Sequence, residues 1–291
     1  MKTKFIINPI SGVGKQKNIT TLIEKFLDKN KFIYDIIFTK YSGHAKLIAK
    51  EAIKENYQIL VAVGGDGTVN EISSELIYSD LILGIIPAGS GNGFAFHFGI
   101  YKNIKRSILQ LNNSKTETID SGEINDFPFV NVSGIGFDAH IAKLFSKSKK
   151  RGLISYIKLI FKELSYQSKN YTIRYNKIER QVNAILISFA NASQYGNNFK
   201  ISPFAKVNDE KIDFVIIKDI PRWKIPAFLF ILAIGKINTS RYVEIIKSNR
   251  MHIISNDNKE LIHIDGEPVK INKDIKIKIN PKSLKILIPN E

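Results

Sequence analysis

Cysteine is absent from this chain of 291 residues. That excludes a disulfide-stapled scaffold, a thiolate zinc site and a cysteine nucleophile together, and leaves the chemistry to oxygen and nitrogen groups. Long apolar runs are scarce as well. The longest, residues 225–235, covers 11 residues, well short of the ~20 that a membrane-spanning helix needs. Residues 1–7 run straight into Asn8 and Pro9, so they contain no secretory leader and the expected location is the cytoplasm. Acid is in deficit: 27 acidic side chains stand against 43 basic ones, a formal charge of +16.

Apolar residues are plentiful, at 44%. The length is about twice that of a common single domain, so two domains with substantial cores are expected. Charge is unevenly divided between them. Residues 1–120 hold 15 basic and 11 acidic side chains, whereas residues 121–291 hold 28 and 16. Within 143–180 there are 11 basic residues and two acidic ones, Glu163 and Glu179. Lys outnumbers Arg 36 to 7, a bias that AT-rich coding also produces, but coding explains the clustering poorly. Charge of this sign suits nucleic acid, yet no groove-reading or base-stacking motif accompanies it, so no nucleic-acid partner is expected.

The first 90 residues alternate β-rich runs with amphipathic stretches. Strands are predicted over 4–8, 34–39, 59–63 and 81–86, and helices over 19–27 and 43–55, with further helices after 71 and from 91. Strands alternating with helices argue for βαβ units, and unbroken apolar strands suit a parallel sheet covered on both faces. From about residue 120 strands dominate: 129–132, 171–175, 181–189, 212–218, 251–255, 262–264, 275–279 and 284–288. Two helices interrupt them, 152–167 and 226–236; the second is read first as a buried core helix, the alternative being that Arg222-Trp223-Lys224 and residues 225–234 set its apolar face at a lipid interface with the sole Trp at headgroup depth. The fold class is therefore an α/β N-terminal domain with a mostly parallel sheet, followed by a β-rich antiparallel domain, with the active site expected in a cleft between them.

Gly64-Gly65-Asp66-Gly67-Thr68-Val69-Asn70-Glu71 follows an apolar strand directly and leads into a helix. Glycines at such a turn let the backbone approach a bulky anion, and the unpaired N–H groups of a helix start face phosphate oxygens. Asn8, Pro9, Ile10, Ser11 and Gly12, continuing to Val13-Gly14-Lys15, form a second loop after the first strand. It is not a Walker A loop, because Pro9 and Gln16 stand where glycine and Ser or Thr are required. A third, Pro87-Ala88-Gly89-Ser90-Gly91-Asn92-Gly93, follows the fourth strand. Thr39 and Gly43-His44 end the second. All lie at the carboxyl edge of the sheet, where open α/β sheets bind ligands.

With Asn131, Gly134-x-Gly136-Phe137-Asp138-Ala139 and Asp265-Gly266-Glu267, these segments resemble the diacylglycerol kinase catalytic superfamily nearly end to end. The resemblance implies a nucleotide-binding domain over 1–120, completed by returning strands at 275–291, and a lipid-substrate domain over 121–274. It implies ATP at Asn8, Pro9, Ile10, Ser11, Gly12, Thr39, Gly64, Gly65, Asp66, Gly67, Thr68, Val69, Asn70, Glu71, Ser90 and Gly91. Asp66 matches the acidic residue associated with catalytic Mg²⁺, and Glu267 the general base. The chemistry of phosphoryl transfer asks for the same parts: held phosphates, a metal to spread charge, and a group to take the hydroxyl proton. On its own, Asp265-Gly266 also reads as a hairpin turn.

The sequence departs from the family at Ser90, in place of the commoner Thr, at Gly93, often Asp, and at Glu210, where glycine is usual. Related enzymes hold a structural Mg²⁺ near that last turn, which here would use Asp209 and the carbonyls of Lys206 and Lys211. The expected activity is ATP-dependent phosphorylation of a membrane lipid hydroxyl, with diacylglycerol first, and a sphingoid base, ceramide or phosphatidylglycerol as alternative acceptors. A protein of another class, binding nucleotide or lipid without catalysis, stays open. The basic cluster over 143–180 suits transient, peripheral attachment to an anionic membrane surface, at the inner face.

Overall fold

The computed structural model describes residues 1–12, 18–148 and 152–290. Val13, Gly14 and Lys15 of the first loop, and Lys149, Lys150 and Arg151 of the basic cluster, lie outside the described residues. The chain divides into two compact units, Met1–Ile119 with Lys282–Glu291, and Asp120–Pro281.

In the first unit, β1 (Lys2–Ile7), β2 (Ile33–Phe38), β3 (Ile59–Gly64) and β4 (Ile82–Pro87) pair in parallel in the order β4-β3-β1-β2. All six residues of β3 are buried, as expected for a strand covered on both faces. The crossovers carry α1 (Ile19–Phe26), α2 (His44–Lys54) and α3 (Asp66–Leu76). Beyond β4 come the short α4 (Gly93–His97) and α5 (Ile104–Asn112). Phe5, Ile7, Val61, Val63 and Ile86 meet Ile19, Ile23, Ile108 and Leu111 in one apolar core. Because every strand is parallel, all their carboxyl ends reach one edge, which places the glycine loops together.

The second unit begins within β5 (Ser114–Ile124). Then follow β6 (Phe127–Phe129), β7 (Val132–Gly136), α6 (Phe137–Lys147) and α7 (Leu153–Lys162). The remaining elements are β8 (Lys169–Tyr175), β9 (Ile178–Ala184), β10 (Leu186–Ala190), β11 (Ile212–Ile217), α8 (Ile225–Ala233), β12 (Val243–Ser248), β13 (Arg250–Ile264) and β14 (Glu267–Pro289). Pairing is antiparallel from β12 through β11, β10, β7 and β13 to β14, with β8 on β13 and β9 on β8.

Four expectations are corrected. The single strand over 181–189 is two: β9 pairs with β8, and β10 with β7 and β11, and the break falls where Ile185 bonds Phe137 and Ile217. The separate strands 251–255 and 262–264 are one strand, β13, with a register shift between Ile254 and Lys259. The returning segment begins at Lys282, not residue 275, because Ile275, Ile277 and Ile279 pack into the core of the second unit; Lys285 and Ile286 then pair in parallel with β4. Helix α8 is not a buried core helix, since Leu232 is its only buried residue.

Candidate active site

The three glycine loops meet backbone to backbone. Gly12 has φ +70°, and a Cβ there would lie 2.0 Å from the Ala88 carbonyl oxygen. A Cβ on Gly89 would lie 2.4 Å from the Cα of Gly65. Contacts this close exclude any side chain, so glycine at these positions is a packing requirement of the converged loops. The Ala88 N–H donates to the Gly64 carbonyl at 2.8 Å, and the Asn8 N–H to that of Val63 at 3.0 Å. Asn8 Nδ2 also donates to Thr68 Oγ1 at 3.1 Å, tying the first loop to α3.

Asp66 opens α3, and its carboxylate faces the third loop. Oδ2 accepts the Asn92 N–H at 2.7 Å and Oδ1 the Phe94 N–H at 3.4 Å, so Asp66 caps the start of α4. Asn92 is buried and in the left-handed region at φ 57°, with its side chain bonded to both the N–H and the carbonyl of Gly89 at 2.9 Å. This latch was not assigned a role from the sequence, although it ends the Pro87–Asn92 motif. The backbone N–H groups of the first turn of α3 have no intrahelical acceptor, which suits an anion.

Glu71, expected at the nucleotide, spends both carboxylate oxygens on a neighbouring loop. Oε1 accepts from the Gly43 N–H at 2.9 Å and Oε2 from that of Ala45 at 3.1 Å. It thereby caps α2 and fixes the loop that begins at Thr39, whose N–H donates to Ile7 at 2.8 Å. The His44 ring accepts the Lys40 N–H through Nδ1 at 3.0 Å, so it too finishes the helix start. Val69 and Thr68 are buried, Asp66, Gly67 and Asn70 half-buried, Ile10 and Ser90 exposed.

In the second unit, Asp265 and Gly266 form the two-residue turn joining β13 to β14, with φ 47° and 95°. Two successive positive φ values define the mirror-image hairpin turn that Asp-Gly favours. The turn is anchored from beneath. Asp265 accepts the N–H groups of Val130 at 2.9 Å and Asn131 at 3.0 Å, and its own N–H donates to Ser133 Oγ at 3.1 Å. Glu267 follows, exposed, and its carboxylate has no hydrogen bond or ion pair among the described residues.

Below this turn lies a buried network that the sequence reading did not single out. Asp138 Oδ2 accepts from Ser188 Oγ at 3.1 Å, Tyr195 OH at 3.0 Å and His263 Nε2 at 3.1 Å. The Gly266 N–H reaches His263 Nδ1 at 3.2 Å, which assigns the ring proton to Nε2 and links the network to the turn. Burial and the Asp138 carboxylate push the Tyr195 hydroxyl well above its usual range, so it stays a donor. The signal was Asp138 within the Gly-Phe-Asp-Ala motif, but its partners come from β10, β13 and the loop between β10 and β11.

The turn expected to hold a structural metal keeps its shape without glycine. Glu210 takes φ 58°, and its N–H donates to Asp120 Oδ2 at 2.8 Å, offsetting a left-handed cost of about 1 kcal/mol. Of the three expected donors, the Asp209 carboxylate is engaged by the chain. Asp209 Oδ1 accepts the Lys211 N–H at 3.2 Å, and Lys247 Nζ lies 3.5 Å from Asp209 Oδ2 and 3.1 Å from Asp213 Oδ1. A tethered ammonium thus stands beside the Asp209 carboxylate, where the expected cation would sit. No group of three or more metal-ligating side chains occurs among the described residues. A groove of about 1240 Å³ in the second unit, lined by Arg174, His252 and Lys276 among others, contains none of the expected site residues.

A family model for the diacylglycerol kinase catalytic domain matches residues 2–124. A second, for the YegS C-terminal NAD kinase beta sandwich-like domain, matches residues 131–288. The chain is 26% identical over 275 residues to a Bacillus subtilis protein named diacylglycerol kinase, covering 91% of this chain and 89% of that one. It is 27% identical over 253 residues to a Klebsiella pneumoniae protein named probable lipid kinase YegS-like, covering 85% and 83%. A solved structure of a diacylglycerol kinase from Bacillus anthracis superposes with a TM-score of 0.77 at 21% identity, over 99% of this chain and 97% of that one. At that identity the superposition speaks for the fold alone.

Proposed function

The chain belongs to the diacylglycerol kinase catalytic superfamily of lipid kinases, and on that premise we propose that it transfers the γ-phosphoryl group of ATP to the primary hydroxyl of diacylglycerol, giving phosphatidic acid. One observation carries the nucleotide half of this reading: the backbone convergence of three glycine loops at the start of α3. The choice of acceptor is supported by the relative named diacylglycerol kinase.

In this reading the N–H groups of the first turn of α3 and of the loops around Gly12 and Gly89 bind the phosphates. Thr39 and Ser90 border them. Asp66 holds the third loop in register through two backbone bonds, and its carboxylate is the group that would stand beside a divalent cation bound with the phosphates. Mg²⁺, when bound with ATP, supplies charge neutralisation on the phosphates. Glu267 takes the proton of the lipid hydroxyl as its oxygen bonds to the γ-phosphorus, and the bond to the bridging oxygen breaks to release ADP. Attachment to an anionic membrane is supported by the basic cluster. Its two acidic residues are paired locally, Glu163 with His140 at 2.9 Å and Glu179 with Arg174 at 2.8 Å. Lys169, Arg174 and Arg180 of the cluster are also ion-paired, with Asp257 and Glu260, with Glu179 and with Glu244. Among the described residues this leaves Lys143, Lys147, Lys158 and Lys162 on α6 and α7 to attract an anionic surface, at about 1 kcal/mol each.

The test is to supply labelled ATP and a total lipid extract and to identify the labelled lipid by mass spectrometry. Label in phosphatidic acid is expected. Label in ceramide, a sphingoid base or phosphatidylglycerol would replace the acceptor, and ATP binding without any labelled lipid would overturn the kinase reading.

A further inference from the structure

Helix α8 has no polar side chain anywhere along Ile225–Ala233. A helix that is apolar all round is ordinarily buried or spans a membrane. Neither applies here. Nine residues rise only about 14 Å against a bilayer core of about 30 Å, and no helix among the described residues is long and apolar enough to cross. One face does pack: Phe228, Leu229 and Leu232 join Val215, Ile217 and Ile237 in an apolar cluster. Ala227 and Phe230 lie at helical spacing on the opposite side of α8, flanked by Trp223 in the 3₁₀ turn Arg222–Lys224 that leads into it and by Ile234 just past its end. Trp223 is 77% exposed, Phe230 64% and Ile234 46%.

The surroundings of this stripe are basic. Residues 221–242 contain Arg222, Lys224, Lys236 and Arg241 and no acidic residue. Lys224 Nζ lies 4.8 Å over the Trp223 ring, and Arg241 and Lys224 both reach the Tyr242 hydroxyl, at 2.9 and 3.3 Å. At the other end the Lys200 stem lies against Gly235. Cations thus flank an exposed apolar stripe with an indole at one end, the pattern of a segment lying in a lipid interface. A second copy of the same face would bring like charges together, which opposes self-association through it.

We propose that the outer face of α8 is a membrane-docking surface, with Trp223, Phe230 and Ile234 entering the interface of an anionic bilayer and the flanking cations meeting its headgroups. The choice of occupant rests on the lipid-kinase reading, but the placement rests on exposure and charge alone. Docking in this manner presents the second unit to the layer in which a diacylglycerol resides.

Trp223 is the only tryptophan in the chain, so its fluorescence reports this face directly. With vesicles of equal parts phosphatidylglycerol and phosphatidylcholine, its emission is expected to shift to the blue and to be quenched by acyl-brominated lipid. Phe230→Glu should weaken vesicle binding by at least about tenfold, as a charge replaces an inserted ring, with the thermal midpoint and ATP affinity unchanged. Lys224→Gln with Lys236→Gln should weaken binding to the anionic vesicles only. Unshifted Trp223 emission while the protein co-sediments with vesicles would overturn the proposal, as would wild-type binding by Phe230→Glu. Conversion of a dimer to a monomer by that substitution would assign the face to a second copy instead. The two readings fail separately: phosphorylation of detergent-dispersed diacylglycerol with a silent Trp223 refutes docking alone, and insertion of Trp223 without any lipid phosphorylation refutes the kinase alone.

Discussion

Asp66 sits half-buried at the head of α3 with both carboxylate oxygens on backbone N–H groups, whereas Glu267 stands exposed just past a two-residue turn with its carboxylate unpartnered among the described residues. Each position suits a different task. A group that organises a binding loop must itself be held, and Asp66 is. A group that takes up a proton must be reachable, and for Glu267 the backbone is held while the side chain is not. The anchoring falls instead on Asp265 and on the Asp138–His263 pair beneath it.

That contrast can be broken by substitution. Glu267→Gln should lower lipid phosphorylation by about 10²–10⁴-fold, the usual worth of a general base, with thermal midpoint and ATP affinity unchanged; a parallel loss of ATP affinity would erase the distinction from Asp66. Asp66→Ala should act on both, because the N–H groups of Asn92 and Phe94 lose their acceptor at about 1–3 kcal/mol for a buried group. Urea unfolding and nucleotide titration would read the two effects.

His263→Ala probes the anchor. It removes one donor from buried Asp138 and the acceptor of the Gly266 N–H, and is expected to cost about 1.5–3 kcal/mol in chemical denaturation. The smallest effect is expected at Asp209. Since Lys247 supplies the cation there, chelating Mg²⁺ from nucleotide-free protein should move the thermal midpoint by less than about 2 °C, under 1 kcal/mol for a chain of this size. Lys247→Met should lower the midpoint and make it respond to added Mg²⁺.

The parallel sheet and its loops were legible because β3 is continuously apolar and the glycine segments end successive strands. Strand limits there agree within one or two residues. The second unit was less legible, for reasons visible in its residues. Residues 181–189 read as one strand because β-rich residues run through Ile185, and only pairing partners separate β9 from β10. The stripe at 225–235 read as core ahead of a lipid-interface helix, because composition reports apolarity and not which face is covered. Glu71 illustrates the same limit within the site: its place beside the glycines was plain, yet its carboxylate serves the backbone of α2.

By itself the sequence determined the residue types on which the chemistry depends, the order of strands and helices in the first unit, and which strand ends carry glycine. These are local properties, set by periodicity and by the steric demands of single residues. Tertiary structure alone decided which groups are spent on holding the protein together: Asp66 on α4, Glu71 on α2, Asp138 on His263, Lys247 on Asp209 and Asp213. Each of those partners is distant in the chain, and a hydrogen bond or ion pair between distant residues exists only once the fold has brought them within about 3 Å.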